Sequence, residues 1–344
     1  MIKIALDVMG GDHGIDVPIK AAFLAIKELP ITIYLIGNET LINDHIEKNY
    51  PKTAQIVVTN ANEAIDMSES PSKAFRKKKN SSIHVGLELV KNNECDGFVS
   101  AGNTGAVLTA STFILGRTKH VERPCLACIL PSIKKPFVMV DMGSNVDCKP
   151  SHLFQFSIMG YFLAQTMLNI KEPSIGLLNI GEEEDKGNAV TLATHAMLKN
   201  SSLPFTGNIE AKEILQGNTD VIVCDGFIGN NLLKFSEGLM SLIANFFKQE
   251  AKKSIFALIG TILFSPVLRK FKKKFDYDEY GGAPLLGVNG ISIIAHGHAS
   301  EIALKNAIKT AYFSKKNNLL TRITDSIELN ADQIKTENTD TVTN

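Results

Sequence analysis

The stretch DGFVSAGNTGAVLTASTFIL, residues 96–115, decides how the rest of the chain is read. It opens with a run of strand length, 96–102, and passes through Gly102-Asn103-Thr104-Gly105 into a segment of helical spacing, Asn103 to Leu115. A buried strand that turns through glycine straight into a helix is the unit from which a parallel sheet is built. Working outward, similar apolar runs recur at 2–8, 31–37, 55–61, 125–131, 136–142, 175–181, 205–211 and 221–227. Several are apolar throughout rather than alternating, as strands covered on both faces are. Helical spacing marks Pro18–Leu29, Ser81–Lys91, Ser151–Leu168 and Asn230–Glu250 among the intervening segments. In the last of these, Leu232, Phe235, Leu239, Leu242, Ile243 and Phe246 trace one face. The alternation predicts an α/β fold with a largely parallel sheet, one unit over residues 1–330. Residues 331–344, ADQIKTENTDTVTN without an apolar period, are expected to form a frayed polar tail.

Composition narrows the function classes. The 344 residues carry 36 basic and 36 acidic side chains, so global charge does not point to nucleic acid. No apolar run reaches the ~20 residues that span a bilayer, and the N-terminus has no charged segment followed by an apolar core. Five scattered cysteines fit reduced thiols. Cys125 and Cys128 form a CxxC, but on a strand residues three apart point to opposite faces, which disfavours a shared metal or a disulfide.

In an open α/β sheet the ligand crevice lies outside the carboxyl ends of the strands. Five such ends carry glycine-rich polar turns: Asp7–Gly14, Ser100–Gly105, Asp141–Asn145, Gly181–Asn188 and Asp225–Asn231. Glycine admits close backbone approach, and helix N-termini present free N–H groups and partial positive charge. Five of them predict one polar, anion-binding pocket, although each turn alone is what any α/β protein needs. No Rossmann, P-loop or nucleophile-elbow spacing is present, and no metal-ligand pattern stands out.

Two further segments are candidate docking surfaces. Ser254–Leu268 is uncharged, places Ile255, Leu258, Ile259 and Ile262 at helical spacing, and runs into Arg269-Lys270-Phe271-Lys272-Lys273-Lys274. It is too short to span a bilayer, and Pro266 is expected to interrupt a helix there. It reads as an amphipathic element at an anionic membrane surface, or as a core or dimer-contact helix with solvated lysines. The run Lys73–Lys79, with Arg76, Lys77 and Lys78, is either a solvated helix face or a site for an acidic partner.

Taken in order, ALDVMGGDHG, MSESPSKAFRKKKNSS, VSAGNTGA, DMGSN, LLNIGEEEDKGN, CDGFIGNNLLKFSEG, YGGAPLLGVNG and AHG resemble the phosphate acyltransferases of bacterial phospholipid synthesis. The resemblance runs from Ile4 to about Phe313, with Val8 and Ser144 departing mildly from the family's small residues. It implies an αβα sandwich like that of the isocitrate and isopropylmalate dehydrogenases and the phosphotransacetylases, with a protruding segment at about 250–276. It implies acyl transfer from fatty acyl carrier protein to inorganic phosphate, without cofactor or metal, in a cytoplasmic homodimer that touches the membrane. The product would pass to a membrane glycerol-3-phosphate acyltransferase.

That reaction assigns expected roles to the turns. Lys186 is the first candidate for neutralising phosphate, and Asn103, Thr104, Asn145, Asn188 and Asn230 are candidate donors to phosphate or oxyanion. Gly10, Gly11, Gly102, Gly105 and Gly187 would permit approach. Asp12, Asp141 and Asp225 are expected to tie the turns together. Of the carboxylates at 182–185, Glu183 is expected to face inward by alternation from Gly181. His296 would protonate the leaving thiolate or, alternatively, bond a loop carbonyl. A dehydrogenase on the related fold would need an adenine-nucleotide site that the sequence does not display, and a membrane-surface scaffold would need no turnover at all.

Overall fold

A computed structural model describes residues 1–274 and 280–331, without the side chains of Lys272 and Lys273. Residues 275–279, and all of the expected tail but Ala331, lie outside the described residues. The nine expected strand runs contain β1 (Ile2–Asp7), β2 (Ile31–Gly37), β3 (Ile56–Asn60), β4 (Gly97–Ser100), β5 (Cys125–Leu130), β6 (Phe137–Val140), β7 (Ile175–Asn179), β8 (Phe205–Glu210) and β9 (Val221–Val223). Two more, β10 (Ala283–Leu286) and β11 (Ile291–Ile294), escaped the sequence reading, being four residues each and flanked by glycines. All belong to one sheet of order β3-β2-β1-β4-β11-β10-β5-β6-β9-β7-β8. The β3-β2-β1-β4-β11 half and the β6-β9-β7-β8 half are each parallel. Antiparallel pairings confine themselves to the join, where β10 runs against β11 and β5, and β5 against β6.

The helices are α1 (Asp16–Glu28), α2 (Glu39–Asn49), α3 (Pro71–Lys77), α4 (Ser82–Lys91), α5 (Thr104–Ile114), α6 (Pro150–Leu168), α7 (Ala189–Lys199), α8 (Gly226–Ala251), α9 (Ile255–Lys274), α10 (Glu301–Lys316) and α11 (Leu319–Leu329). α1 and α10 pack on the first half of the sheet through Phe23, Ala303, Leu304 and Ile308. α6 covers the other half with Phe154, Phe156, Ile158 and Leu163. On the opposite face α4 and α5 bury Leu87, Ala106 and Val107 against Phe98. Cys125 and Cys128 do fall into clusters on opposite faces of the sheet, and all five cysteines are unpaired. Burial pushes the Cys128 thiol up to about 12, so it stands as a neutral apolar wall group.

α8 and α9 pack against each other. Contrary to expectation, Pro266 lies inside α9 rather than ending it. Proline removes one helical N–H, and the carbonyl this frees belongs to the exposed residue Ile262, where water can pair it. No helix among the described residues is long and apolar enough to cross a membrane.

One ion-pair cluster joins α1 to α10. Glu28 lies 2.8 Å from Lys305 and 2.5 Å from Lys309. Hydrogen bonds from Lys305 and then Lys309 hold its carboxyl down at about 2. Because the folded value lies below the unfolded one, this contribution is present above the ordinary range of about 4.5 and is lost as pH falls towards about 2. Urea melts of wild type and Glu28→Gln should therefore differ more at about pH 5 than at about pH 2, and a pH-independent difference would contradict the coupling.

Candidate active site

Two buried aspartates at equivalent strand ends lock the turns. Asp7, at the end of β1, accepts hydrogen bonds from Met9 N at 2.9 Å and Gly10 N at 3.0 Å through Oδ1. Its Oδ2 accepts from Ser100 Oγ at 2.7 Å, and Ser100 Oγ accepts from Gly102 N at 3.0 Å. The turns after β1 and β4 are thereby clamped together, so closely that a Cβ on Gly10 would lie 2.7 Å from Gly102 N. Burial raises the Asp7 carboxyl above its ordinary range, while its hydrogen bonds, Ser100 first, pull the other way. Asp141, just after β6, does the same in the second half. It accepts from Leu126 N at 2.9 Å, Ser144 N at 3.2 Å, Asn145 N at 2.7 Å and Asn145 Nδ2 at 2.9 Å. Asn145 O in turn accepts from Gly226 N at 2.8 Å, and Asp225 caps α8 by accepting from Ile228 N at 2.8 Å. Asp141 thus ties its turn to β5, whereas the Asp225 side chain caps only its own helix.

Between the clamped halves lies a cleft of about 430 Å³. Thr104, at the start of α5, and Asn230, in the first turns of α8, both line it and are exposed. The Asn230 amide has no hydrogen-bond partner among the described residues, and a Cβ added to Gly143 would lie 3.4 Å from the Asn230 Cβ. Asp12 and His296 also line the cleft. His296 Nδ1 accepts from His298 N at 3.3 Å, which leaves Nε2 to carry the proton of the neutral ring. Asp12 N donates to Gly297 O at 2.9 Å and its carboxylate lies 2.9 Å from His298 Nδ1, stitching the turn after β1 to the loop after β11. The wall from β5 is apolar, with Leu126, Cys128, Ile129 and Leu130 facing Leu108 and Leu233. The arrangement pairs free donors at two helix starts with an apolar wall, suiting an anion that meets a greasy partner. Among the described residues no group of three His, Cys, Asp or Glu side chains is placed to hold a metal.

Three expected donors do not line the cleft, Asn103, Asn145 and Asn188. The Asn103 amide donates to the carbonyls of Met67 at 3.0 Å and Glu69 at 3.1 Å, while its Oδ1 caps α5 by accepting from Ala106 N. Asn145 Nδ2 donates to Pro124 O at 2.8 Å as well as to Asp141. Asn103 and Asn145 position loops. Gly102, Gly105, Gly10 and Gly11 do not line the cleft; Gly105 packs on Pro71 and Gly11 adopts φ +89° beside Gly297 O.

The turn after β7 stands apart. β9 separates β7 from β6, so Gly181–Asn188 emerges away from the β1 and β4 turns. Asn188 and Asp225 line a smaller cavity of about 150 Å³ between the starts of α7 and α8, and Lys186, Glu183 and Gly187 line neither space. The convergence of five turns on one pocket is therefore corrected to four, joined by the loop His296–His298. Residues 180–187 bend rather than continue the strand, so alternation fails there and all four carboxylates are exposed. Glu183 folds back over Gly181, and Glu184 pairs with Lys199 at 2.7 Å. Lys186 is exposed, its carbonyl accepting from Asn179 Nδ2 at 2.9 Å.

Of the expected docking residues, Arg76 and Lys77 are exposed at the end of α3, which packs along α5 with Phe75 stacked on Phe113. Lys78 instead braces the neighbouring loop, with its ammonium on Ala64 O at 2.7 Å and on Glu69. Ile255, Leu258, Ile259 and Ile262 are all exposed on α9, as are Phe256, Leu263 and Phe264, so apolar surface wraps the helix rather than forming one stripe. Arg269 and Lys270 are exposed at its far end. His298 and the Lys234–Glu237 pair, 2.9 Å apart on the cleft wall, were missed from sequence. The signals were present as H-G-H around Gly297 and as K-x-x-E spacing on a helix.

Comparison with known proteins bears on the family and the fold. The family described as Fatty acid synthesis protein matches residues 2–322. A phosphate acyltransferase of Clostridium beijerinckii is 49% identical over 323 residues, covering 93% of this chain and 97% of its own. One from Pelotomaculum thermopropionicum is 47% identical, covering 95% of each. Among solved structures, a phosphotransacetylase from Streptococcus pyogenes superposes with a TM-score of 0.62 at 15% identity, over 92% of this chain and 94% of that one. A 4-hydroxythreonine-4-phosphate dehydrogenase from Klebsiella pneumoniae gives 0.54 at 12% identity, over 92% and 100%. At such identities the two structures bear on the fold alone, and they place it in the αβα class expected from the sequence.

Proposed function

Because this chain belongs to the phosphate acyltransferase family of fatty acid synthesis proteins, we propose that it moves the acyl group of fatty acyl carrier protein onto inorganic phosphate. The observation that carries this reading is the cleft, which sets unpaired donors at Thr104 and Asn230 against an apolar wall. A phosphate oxygen attacks the thioester carbon and forms the C–O bond of a tetrahedral oxyanion, whose collapse breaks the C–S bond and releases the thiolate on the carrier. Phosphate at neutral pH is already a competent nucleophile, so the protein contributes chiefly position and charge stabilisation. Asn230 and the start of α5 donate to the oxyanion, His296 Nε2–H donates a hydrogen bond to the departing sulfur, and the thiolate takes up the proton that the attacking hydrogen phosphate gives up. Asp12 holds the 296–298 loop in register. No cofactor or metal enters this scheme.

Lys186 has a separate role in this reading. Exposed beside Gly187 and Asn188 at the start of α7, it adds positive charge on the phosphate's approach to the site. Lys186→Ala should cut turnover about tenfold, or about 1.4 kcal/mol, with an unchanged melting temperature. Near-normal turnover would remove Lys186 from the mechanism.

The exposed Arg76 and Lys77, on a helix packed along α5, suit an acidic carrier protein. The bare apolar surface of α9, with Arg269 and Lys270 at its end and Lys272 and Lys273 in the same run, suits transient contact with an anionic membrane surface. The exposed face of α8, with Leu242 and Phe246, suits a homodimer contact. The chain would then act as a cytoplasmic, peripherally associated enzyme supplying a membrane glycerol-3-phosphate acyltransferase. Thiol release from palmitoyl carrier protein, assayed with and without inorganic phosphate, tests the core of the reading. Release that saturates with phosphate is expected, and release indifferent to phosphate would refute it.

A further inference from the structure

We propose that the apolar groove between α8 and the β5–β6 hairpin holds the fatty chain of the substrate. The inference rests on the acyl transfer proposed above and assigns the chain a place. The groove measures about 350 Å³ and is walled by Leu130, Phe137 and Met139 of the hairpin, Ile214 of a short 3-10 turn, and Leu232 and Leu239 of α8. That volume falls in the range of small-molecule sites, ~300–1,000 Å³.

Two features favour an acyl chain as its occupant. First, Leu130 and Leu233 line both the groove and the catalytic cleft, so the two spaces meet there. A chain whose carbonyl carbon sits by Thr104 and Asn230 passes between these leucines into apolar walls. Second, the floor is concave and buried, since Phe137, Met139 and Ile214 lie beneath α8 rather than on a flat face. Leu232, Phe235 and Leu239 recur at helical spacing along its roof, with Phe235 exposed. Apolar side chains left open beside a reacting site mark where an apolar ligand fits. Each methylene drawn into such a groove strengthens binding by about fourfold. The groove therefore sets chain-length preference, and its far part, near Leu215 and Leu239, is reached only by long chains.

Leu215→Trp and Leu239→Trp test this, because both side chains line the groove yet are 45% and 42% exposed, so a larger ring there does not invade the core. Palmitate and octanoate are titrated against a bound fluorescent polyene fatty acid, a measurement that needs no turnover. Palmitoyl and octanoyl carrier protein are compared by kcat/KM, and gel filtration follows assembly size. Each variant should weaken palmitate, and lower kcat/KM for the palmitoyl substrate, by about tenfold, with less than about threefold effect on the eight-carbon forms. Assembly size should not change. Equal effects at both lengths, or no effect at either, would overturn the proposal. Loss accompanied by a change in assembly size would also overturn it, giving the groove to a second copy of the chain. If palmitate binding discriminates as expected while the wild type releases no thiol, the groove assignment stands and the acyl-transfer reading fails.

Discussion

Gly229→Ala is expected to cost the fold about 3 kcal/mol and to abolish turnover, the largest effect of any single methyl group in this protein. A Cβ at this position would lie 1.9 Å from the carbonyl oxygen of Asp141 and 3.1 Å from Cys224 Sγ. The closest atom is backbone, at the very residue that ties Leu126, Ser144 and Asn145 together, so no side chain can swing aside. Relief requires the first turn of α8 to lift off the turn after β6, carrying Asn230 with it. Gly238, nine residues further along the same helix, has nothing within 4 Å of its Cβ site and supplies the contrast. Gly238→Ala should be neutral or stabilising by up to about 1 kcal/mol, since alanine is the better helix former. Thermal unfolding of both variants, with turnover measured alongside, separates the cases. A Gly229→Ala protein that melts and works like the wild type would mean that α8 is not pinned where the cleft needs it.

Asn230→Ala is expected to lower kcat about a hundredfold while leaving stability within about 0.5 kcal/mol. The side chain is exposed, lines the cleft and has no partner among the described residues, so its removal strands no buried group. A donor aimed at the tetrahedral oxyanion matters most in the transition state, so KM for phosphate should move less than kcat. A variant with unchanged kcat and a raised KM would instead make Asn230 a ground-state phosphate ligand. A variant unaffected in both would take it out of the site.

The sheet was legible because nine strands lie in runs of strand length, most of them apolar and several closed by glycine or asparagine turns. β10 and β11 were not, since APLL and ISII are too short to show a period and Pro284 argues against a strand. Site residues divided along a different line. That Asp141 braces its turn was readable from its place at a strand end. That the Asn103 amide is engaged by carbonyls more than thirty residues away was not, because side-chain partners at long range leave no local pattern. Glu183 shows the same limit, since a period valid in a strand was carried into a turn that bends. The isolation of Lys186 follows from strand order, with β9 inserted between β6 and β7, and order is set by packing rather than by the turn's own residues.

The most direct test is to trap the product. Purified protein is given palmitoyl carrier protein and inorganic phosphate, and hydroxylamine captures any acyl phosphate as its hydroxamate while released thiol is counted. The account predicts hydroxamate and thiol in equal amounts, both dependent on phosphate. Thiol release without trappable product would make the chain a thioesterase, and no release at all would leave the cleft without the reaction proposed for it.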